Sequence, residues 1–189
     1  MDTTRVSLIL RLRDLQNATA WGEFDALYGP LVYRYARAKG LSRDDAEEVR
    51  SQIMTAVVKQ IGSFEYDRAK GGFKNWLRRL VHNKTVDLIR RRRERQAESS
   101  EFRALSDNEP GPDEVWETTW LQTHLRYCVE QLRGSVSEQT YRAFHMLVFE
   151  EREVDFVCRE LDMNPNQVYK AKSRLLAMIR EKMTELGVE

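Results

Sequence analysis

Apolar residues recur along this chain at spacings of three and four, and nearly every periodic stretch has the helical period. A first helix is predicted over roughly Ser7 to Leu15, with Leu8, Leu12 and Leu15 on one face. A second runs from about Ala18 to Gly40, interrupted near Gly29-Pro30, with Phe24, Leu27, Leu31, Tyr35 and Ala38 inward. Gly40 suits its C-terminal end. Ser42 is a natural N-cap for a third helix, with Asp44 and Asp45 where the helix dipole favours negative charge. That helix points Ala46, Val49, Ile53, Ala56, Val57 and Ile61 inward. A loop follows from Ser63 to Gly72, then a helix from about Phe73 to Arg95. The crowding of polar groups from Leu80 to Lys84 predicts a kink or short loop near Asn83.

From Gln96 to about Asp113 the apolar pattern collapses. Ser99-Ser100, Ser106-Asp107-Asn108 and Pro110-Gly111-Pro112 supply little to bury, and the segment reads as a flexible acidic linker. A second domain begins near Val115, with a helix through Leu132, a break at Gly134, and a helix that Ser137 caps and that runs through Phe149. The expected division is residues 1–95, a linker over 96–114, and a second domain over 115–189. The fold class is all-α, two small helical domains.

The last periodic stretch is the most specific. Val154, Val157, Cys158 and Leu161 make one stripe of a short helix, and Asp162-Met163 is a turn. Asn164 is an N-cap, Pro165 suits the first helical position, and Gln167 can complete a capping box. Val168, Ala171, Leu175, Met178 and Ile179 line the buried face of a longer helix. Two helices joined so tightly form a helix-turn-helix. The outer face carries Asn166, Gln167, Tyr169, Lys170, Lys172, Ser173 and Arg174. Between Pro165 and Lys182 only Glu181 is acidic, against five Lys and Arg. Cations can neutralise phosphates, and Asn, Gln and Arg can bond base edges in the major groove. An ordinary helical hairpin with a solvated basic face would have the same pattern.

Charge sharpens this picture. The net charge of +1 says little, but its distribution is uneven. Arg68 to Arg95 has a local balance of +9, and Gln96 to Thr119 one of −6. That asymmetry suits a protein that holds a polyanion with one part and keeps another part away from it. Within the basic block, Phe64, Tyr66, Phe73 and Trp76 interleave with Arg68, Lys70, Lys74, Arg78 and Arg79. Aromatics beside cations suit single-stranded nucleic acid, whose bases stack while its backbone follows the charge. Phe73 and Trp76 also suit the core of an amphipathic helix, and the run Arg90 to Arg93 a solvated helix end.

Other chemistry is sparse. Four prolines and nine glycines leave little for a turn-rich β fold. Cys128 and Cys158 lie far apart in helical patterns and read as small buried residues in a reducing cytosol. His82, His124 and His145 fall on separate helices, and no convergent carboxylates accompany them, so no metal, cofactor or enzymatic activity is expected. No signal pattern or apolar run long enough to span a bilayer is seen, so a cytoplasmic protein without membrane insertion is expected.

Five sub-motifs together resemble region 2 of sigma-70-family factors, and most of all the small extracytoplasmic-function (ECF) group. They are Asp45-Ala46-Glu47-Glu48-Val49, Phe64-Glu65-Tyr66-Asp67, Gly72-Phe73-Lys74-Asn75-Trp76-Leu77, Val81-His82-Asn83 and Asp87-Leu88-Ile89-Arg90-Arg91. Val154 to Arg174 resembles region 4 of the same family. The resemblance implies a factor that directs RNA polymerase to promoters. Asp45, Glu48, Gln52 and Ile53 would meet the clamp helices of the β′ subunit. Phe64, Lys70, Lys74, Arg78 and Asn83 would recognise and melt the −10 element, and Lys84 with Arg90, Arg91, Arg92 and Arg93 would hold the adjoining duplex. Asn166 to Arg174 would enter the major groove at the −35 element, its domain docking on the β flap. An anti-sigma protein is a further candidate partner, and the free protein is expected to be a monomer. In that setting the acidic linker would occupy a basic channel of the polymerase until nascent RNA displaces it. The competing reading is a stand-alone helix-turn-helix regulator, which predicts a dimer on a palindromic site. The chain departs from the family pattern at Ser51-Gln52 and across Asn166 to Ala171, so the resemblance does not fix the −35 sequence.

Overall fold

In the computed structural model the described residues are 3–65, 72–97 and 112–186, with side chains described over 7–65, 72–94 and 114–186. Among them there are eight α-helices, two short 3-10 turns and no strand. The helices are α1 (Thr3–Leu12), α2 (Ala18–Ala38), α3 (Arg43–Gln60), α4 (Gly72–Ala97), α5 (Pro112–Leu132), α6 (Glu138–Val148), α7 (Val154–Leu161) and α8 (Pro165–Glu185). The expected acidic linker over 98–111, and residues 66–71 of the expected loop, lie outside the described residues. The chain divides into two compact units, one of them Arg5–Thr123 and the other containing His124–Glu189.

Local rules start and stop these helices. Asn17 caps α2 by accepting from the Ala20 amide, and Ser42 caps α3 by accepting from the Asp45 amide. Gly40 closes α2 with φ +85, while Leu41 N–H reaches back to the Ala36 carbonyl. Two expected interruptions are absent. α2 runs unbroken through Pro30, because Phe24, Leu27, Tyr28, Leu31 and Val32 are buried on both sides of it. Each such side chain gains about 1.5–3 kcal/mol on burial, against about 3 kcal/mol for a proline inside a helix. α4 likewise runs straight past Asn83, since Leu77, Val81, Thr85 and Leu88 remain on one buried stripe. Thr85 satisfies its buried hydroxyl on the Val81 carbonyl, 2.7 Å away. The first helix begins at Thr3 and ends at Leu12, earlier than its periodicity predicts.

The first unit packs α2, α3 and α4 around Tyr28, Leu31, Tyr35, Val49, Ile53, Val57, Leu77 and Val81. α3 and α4 are antiparallel: Phe64, just past α3, meets Phe73 at the start of α4 with ring centroids 5.9 Å apart, and Arg92 near the far end of α4 bonds Asp45 at the start of α3. The unit extends further along the chain than Asp113. Trp116 lies 5.5 Å from Tyr35 and Trp120 5.9 Å from Tyr28, centroid to centroid, and both indoles are buried. The boundary between the units therefore falls inside α5, after Thr123, rather than ahead of Val115.

The second unit packs Cys128, Val129 and Leu132 of α5 against Tyr141 and Phe144 of α6 and Leu175 and Ile179 of α8. A second cluster holds α7 to α6 and α8 through Ala143, Met146, Val157, Leu161, Val168 and Ala171. Burial pushes the Cys128 thiol up to about 11, so it stays protonated.

Candidate nucleic-acid interface

α4 sorts its side chains by angle. Phe73, Leu77, Val81, Thr85 and Leu88 face the core, and the opposite face follows from the 3.6 period. Trp76, Arg79, Asn83, Val86, Arg90 and Arg93 recur on it at spacings of three and four. All are exposed except Trp76, which is half-buried. This track rises about 25 Å along the helix. Trp76 stands at its head against Phe64 and Phe73, with ring centroids 5.0 and 5.4 Å away.

The basic residues expected to meet DNA do not all lie on this track. Arg79 and Val86 belong to it, although neither is among the contacts that the motifs suggest. Lys74 is turned to α5, with Nζ 2.6 Å from Glu117 and 5.3 Å from the centre of the Trp120 ring. Arg92 is turned to Asp45. Arg78 and Lys84 are half-buried on the flanks, and Arg91 is exposed away from the track. Phe64 is buried and supports Trp76 rather than presenting its own ring. Lys70 lies outside the described residues.

On α3 the outward stripe is Asp44, Glu47, Glu48, Ser51, Thr55 and Val58. Glu48 is exposed and accepts from Gln52 Nε2 at 2.9 Å, and Gln52 is half-buried. The other two expected contacts are not on the surface. Ile53 is 0 % exposed in the core, and the Asp45 side chain is buried at the N-terminus of α3. Burial pushes the Asp45 carboxyl up, but hydrogen bonds from Ser42 and the Arg92 guanidinium outweigh it and hold Asp45 below the usual carboxylate value.

The helix-turn-helix in the second unit has the geometry its sequence predicts. Asp162 turns the chain at φ 51, and Asn164 Oδ1 accepts from the Gln167 amide at 2.9 Å. Gln167 Oε1 returns the bond to the Asn164 amide at 2.8 Å, closing the capping box. Val168, Ala171 and Leu175 are buried, while Asn166, Gln167, Tyr169, Lys170, Lys172, Ser173 and Arg174 are all exposed. Gln167 thus has its oxygen engaged within the turn, which leaves its amide nitrogen for other partners. Lys170 and Ser173 share the face opposite Val168 with Asn166, and Lys172 flanks the buried side.

Among the described residues there is no group of three or more His, Cys, Asp or Glu that could hold a metal ion. His82 bonds Tyr35, 3.1 Å away, and His145 bonds Glu150 at the same distance. No described helix is long and apolar enough to cross a membrane.

Residues 26–95, which include α3 and nearly all of α4, match the Sigma-70 region 2 family model. That segment is similar to region 2 of the sigma-70 family. The chain is 23% identical over 115 residues to the ECF RNA polymerase sigma factor SigE of Mycolicibacterium smegmatis, a match covering 60% of this chain and 43% of that one. It is 25% identical over 142 residues to the ECF RNA polymerase sigma factor RpoE of Cereibacter sphaeroides, covering 75% and 76%. Its identity to the RNA polymerase sigma factor CnrH of Cupriavidus metallidurans is 29% over 106 residues, covering 52% and 54%. The chain thus spans about half the length of two of these relatives.

Proposed function

We propose that this protein joins core RNA polymerase in the cytoplasm and directs it to promoters through two DNA elements. The observation that carries the reading is the outward track of α4, where a half-buried tryptophan leads into Arg79, Asn83, Arg90 and Arg93 within the segment that matches region 2. An aromatic at one end and cations along the rest suit a junction where one strand is melted and the adjoining duplex is held by its phosphates. The acidic stripe of α3, with Glu48 at its centre, binds the β′ clamp helices. Residues 124–186 act as region 4, docking on the β flap and presenting Asn166, Lys170, Ser173 and Arg174 to the major groove at the −35 element. An anti-sigma protein that covers the same stripes would hold the factor inactive.

The test is transcription in vitro with purified core RNA polymerase and a library of random upstream DNA. Initiation from a common pair of spaced elements is the expected result. A chain that fails to bind core and instead dimerises on a palindromic duplex would overturn the reading in favour of a stand-alone regulator.

A further inference from the structure

Neither the family motifs nor the proposed DNA track gives the segment before α2 a task, yet the structure ties it to that track at one point. Arg13, just past the end of α1, donates through Nη2 to the main-chain carbonyl of Phe64 at 2.8 Å, across 51 residues of sequence. The Phe64 carbonyl lies where the chain leaves the 3-10 turn Ile61–Ser63, with its amide already engaged on Ile61. Its ring closes one side of Trp76, 5.0 Å away, and meets Phe73 at 5.9 Å. Arg13 is itself held in place. Ile9 and Leu12 are buried, and Arg11 makes two hydrogen bonds to Glu23 of α2 at 3.1 and 3.0 Å.

We propose that α1 acts as a strap and that Arg13 is a positioning residue for strand capture: by fixing the Phe64 carbonyl it sets the Phe64 ring, which orients Trp76 for a melted base. The physical reason is directional. Phe64 has an extended backbone (ψ 118) beyond the 3-10 turn, so its carbonyl lies outside the helical bonding pattern and takes its hydrogen bond from Arg13. A guanidinium anchored through a neighbouring helix supplies that engagement with a charge-assisted bond. Arg13 needs no contact with DNA to act, because the effect passes through main chain and ring packing. The inference rests on the proposed role of Trp76 at the melted strand.

The experiment uses holoenzyme assembled from core polymerase and full-length protein. The probe is a single-stranded oligonucleotide carrying the −10 sequence that the library selects. Arg13→Ala should weaken binding of that probe about fivefold, the scale of one ordinary hydrogen bond. Arg13→Lys, which keeps a donor, should recover part of the loss. Core affinity and binding of a duplex −35 fragment should stay at wild-type level. An unchanged single-strand affinity would overturn the strap. So would an equal loss on the −35 fragment, which would mean a general loss of folding. If wild-type holoenzyme fails to bind the single strand at all, the proposed role of Trp76 falls first and the strap with it.

Discussion

Arg92, near the end of α4, donates a hydrogen bond to the buried carboxylate of Asp45 at the start of α3. One residue of the four-arginine run is therefore turned to the protein, and it ties the proposed polymerase-facing helix to the proposed DNA-facing one. Four adjacent positions on a helix span most of a turn and cannot all face one ligand. Arg90 and Arg93 fall on the outward track, with Arg90 only loosely paired to Glu94 at 3.7 Å.

The run should therefore divide under mutation. Removing one phosphate-binding cation flattens the dependence of log affinity on log salt by about 0.9 for duplex DNA. Arg90→Ala and Arg93→Ala are each expected to reduce the salt slope of promoter binding by about one. Arg92→Ala should leave the slope unchanged and destabilise the first unit by about 1–2 kcal/mol, less than a fully buried hydrogen bond to a charged group because the Arg92 side chain is half-exposed. Salt titrations of holoenzyme binding, with thermal unfolding of the free protein, separate the two classes. A slope that falls equally for all three variants would put Arg92 on the DNA.

The same pair sets a pH dependence. Burial raises the Asp45 carboxyl, but Ser42 and Arg92 outweigh burial and its folded value lies below the unfolded one. Such a group contributes stability that is fully present above the unfolded value, about 4, and lost as pH falls through the folded value. Asp45→Asn should therefore unfold at a lower temperature than wild type at pH 7, and the gap should be constant down to about pH 5. Below that it should narrow as the wild-type carboxylate takes up its proton. A gap that widens on acidification would contradict the assignment.

Two glycines of α2 make different predictions. A Cβ at Gly29 would stand 2.6 Å from Asp25 Oδ1 and 2.8 Å from Arg50 Nε. Those two side chains form a two-pronged ion pair between α2 and α3, both bonds 2.9 Å long. Gly29→Ala must displace this partly exposed pair, worth about 0.2–1 kcal/mol, a loss that offsets the helix-propensity gain and should leave the protein no more stable than wild type. At Gly22, in the same helix, a Cβ would meet nothing within 4 Å. Gly22→Ala should stabilise by about 0.5–1 kcal/mol, the propensity difference in a helix interior. Denaturant unfolding of the two variants beside wild type checks the difference.

These contrasts also mark what the sequence makes legible. Caps are local, so Ser42, Ser137 and the Asn164–Gln167 box are readable from residue type and spacing alone. The tolerance of Pro30 is not, because it depends on how much apolar surface the flanking turns bury in three dimensions. Trp116 and Trp120 have the helical period whichever core they join, and nothing local assigns them to Tyr35 and Tyr28 of the first unit. For the candidate site, residue types single out helices but do not say which faces are exposed. Asp45 and Phe64 sit inside motifs and Ile53 just past one, and burial takes all three off the surface. Arg79 and Val86 have no motif of their own, yet the spacing from Trp76 through Asn83 to Arg93 would have placed them on the track.

In the helix-turn-helix, neighbouring polar residues should separate by role. Gln167 closes the capping box with its side-chain oxygen, while Lys170, one turn further, is exposed and has no part in the cap. Gln167→Ala removes one bond of the cap and should cost the second unit about 0.5–1 kcal/mol. Its effect on promoter binding should be small and nearly independent of salt. Lys170→Ala should leave stability unchanged, weaken initiation from duplex promoters that need the −35 element, and flatten the salt dependence by about one. On templates with a pre-melted −10 region that bind tightly without a −35 element, Lys170→Ala should match wild type. Equal loss on both templates would mean that Lys170 acts through the polymerase rather than through the major groove, and the proposed division of labour between the two units would fail there.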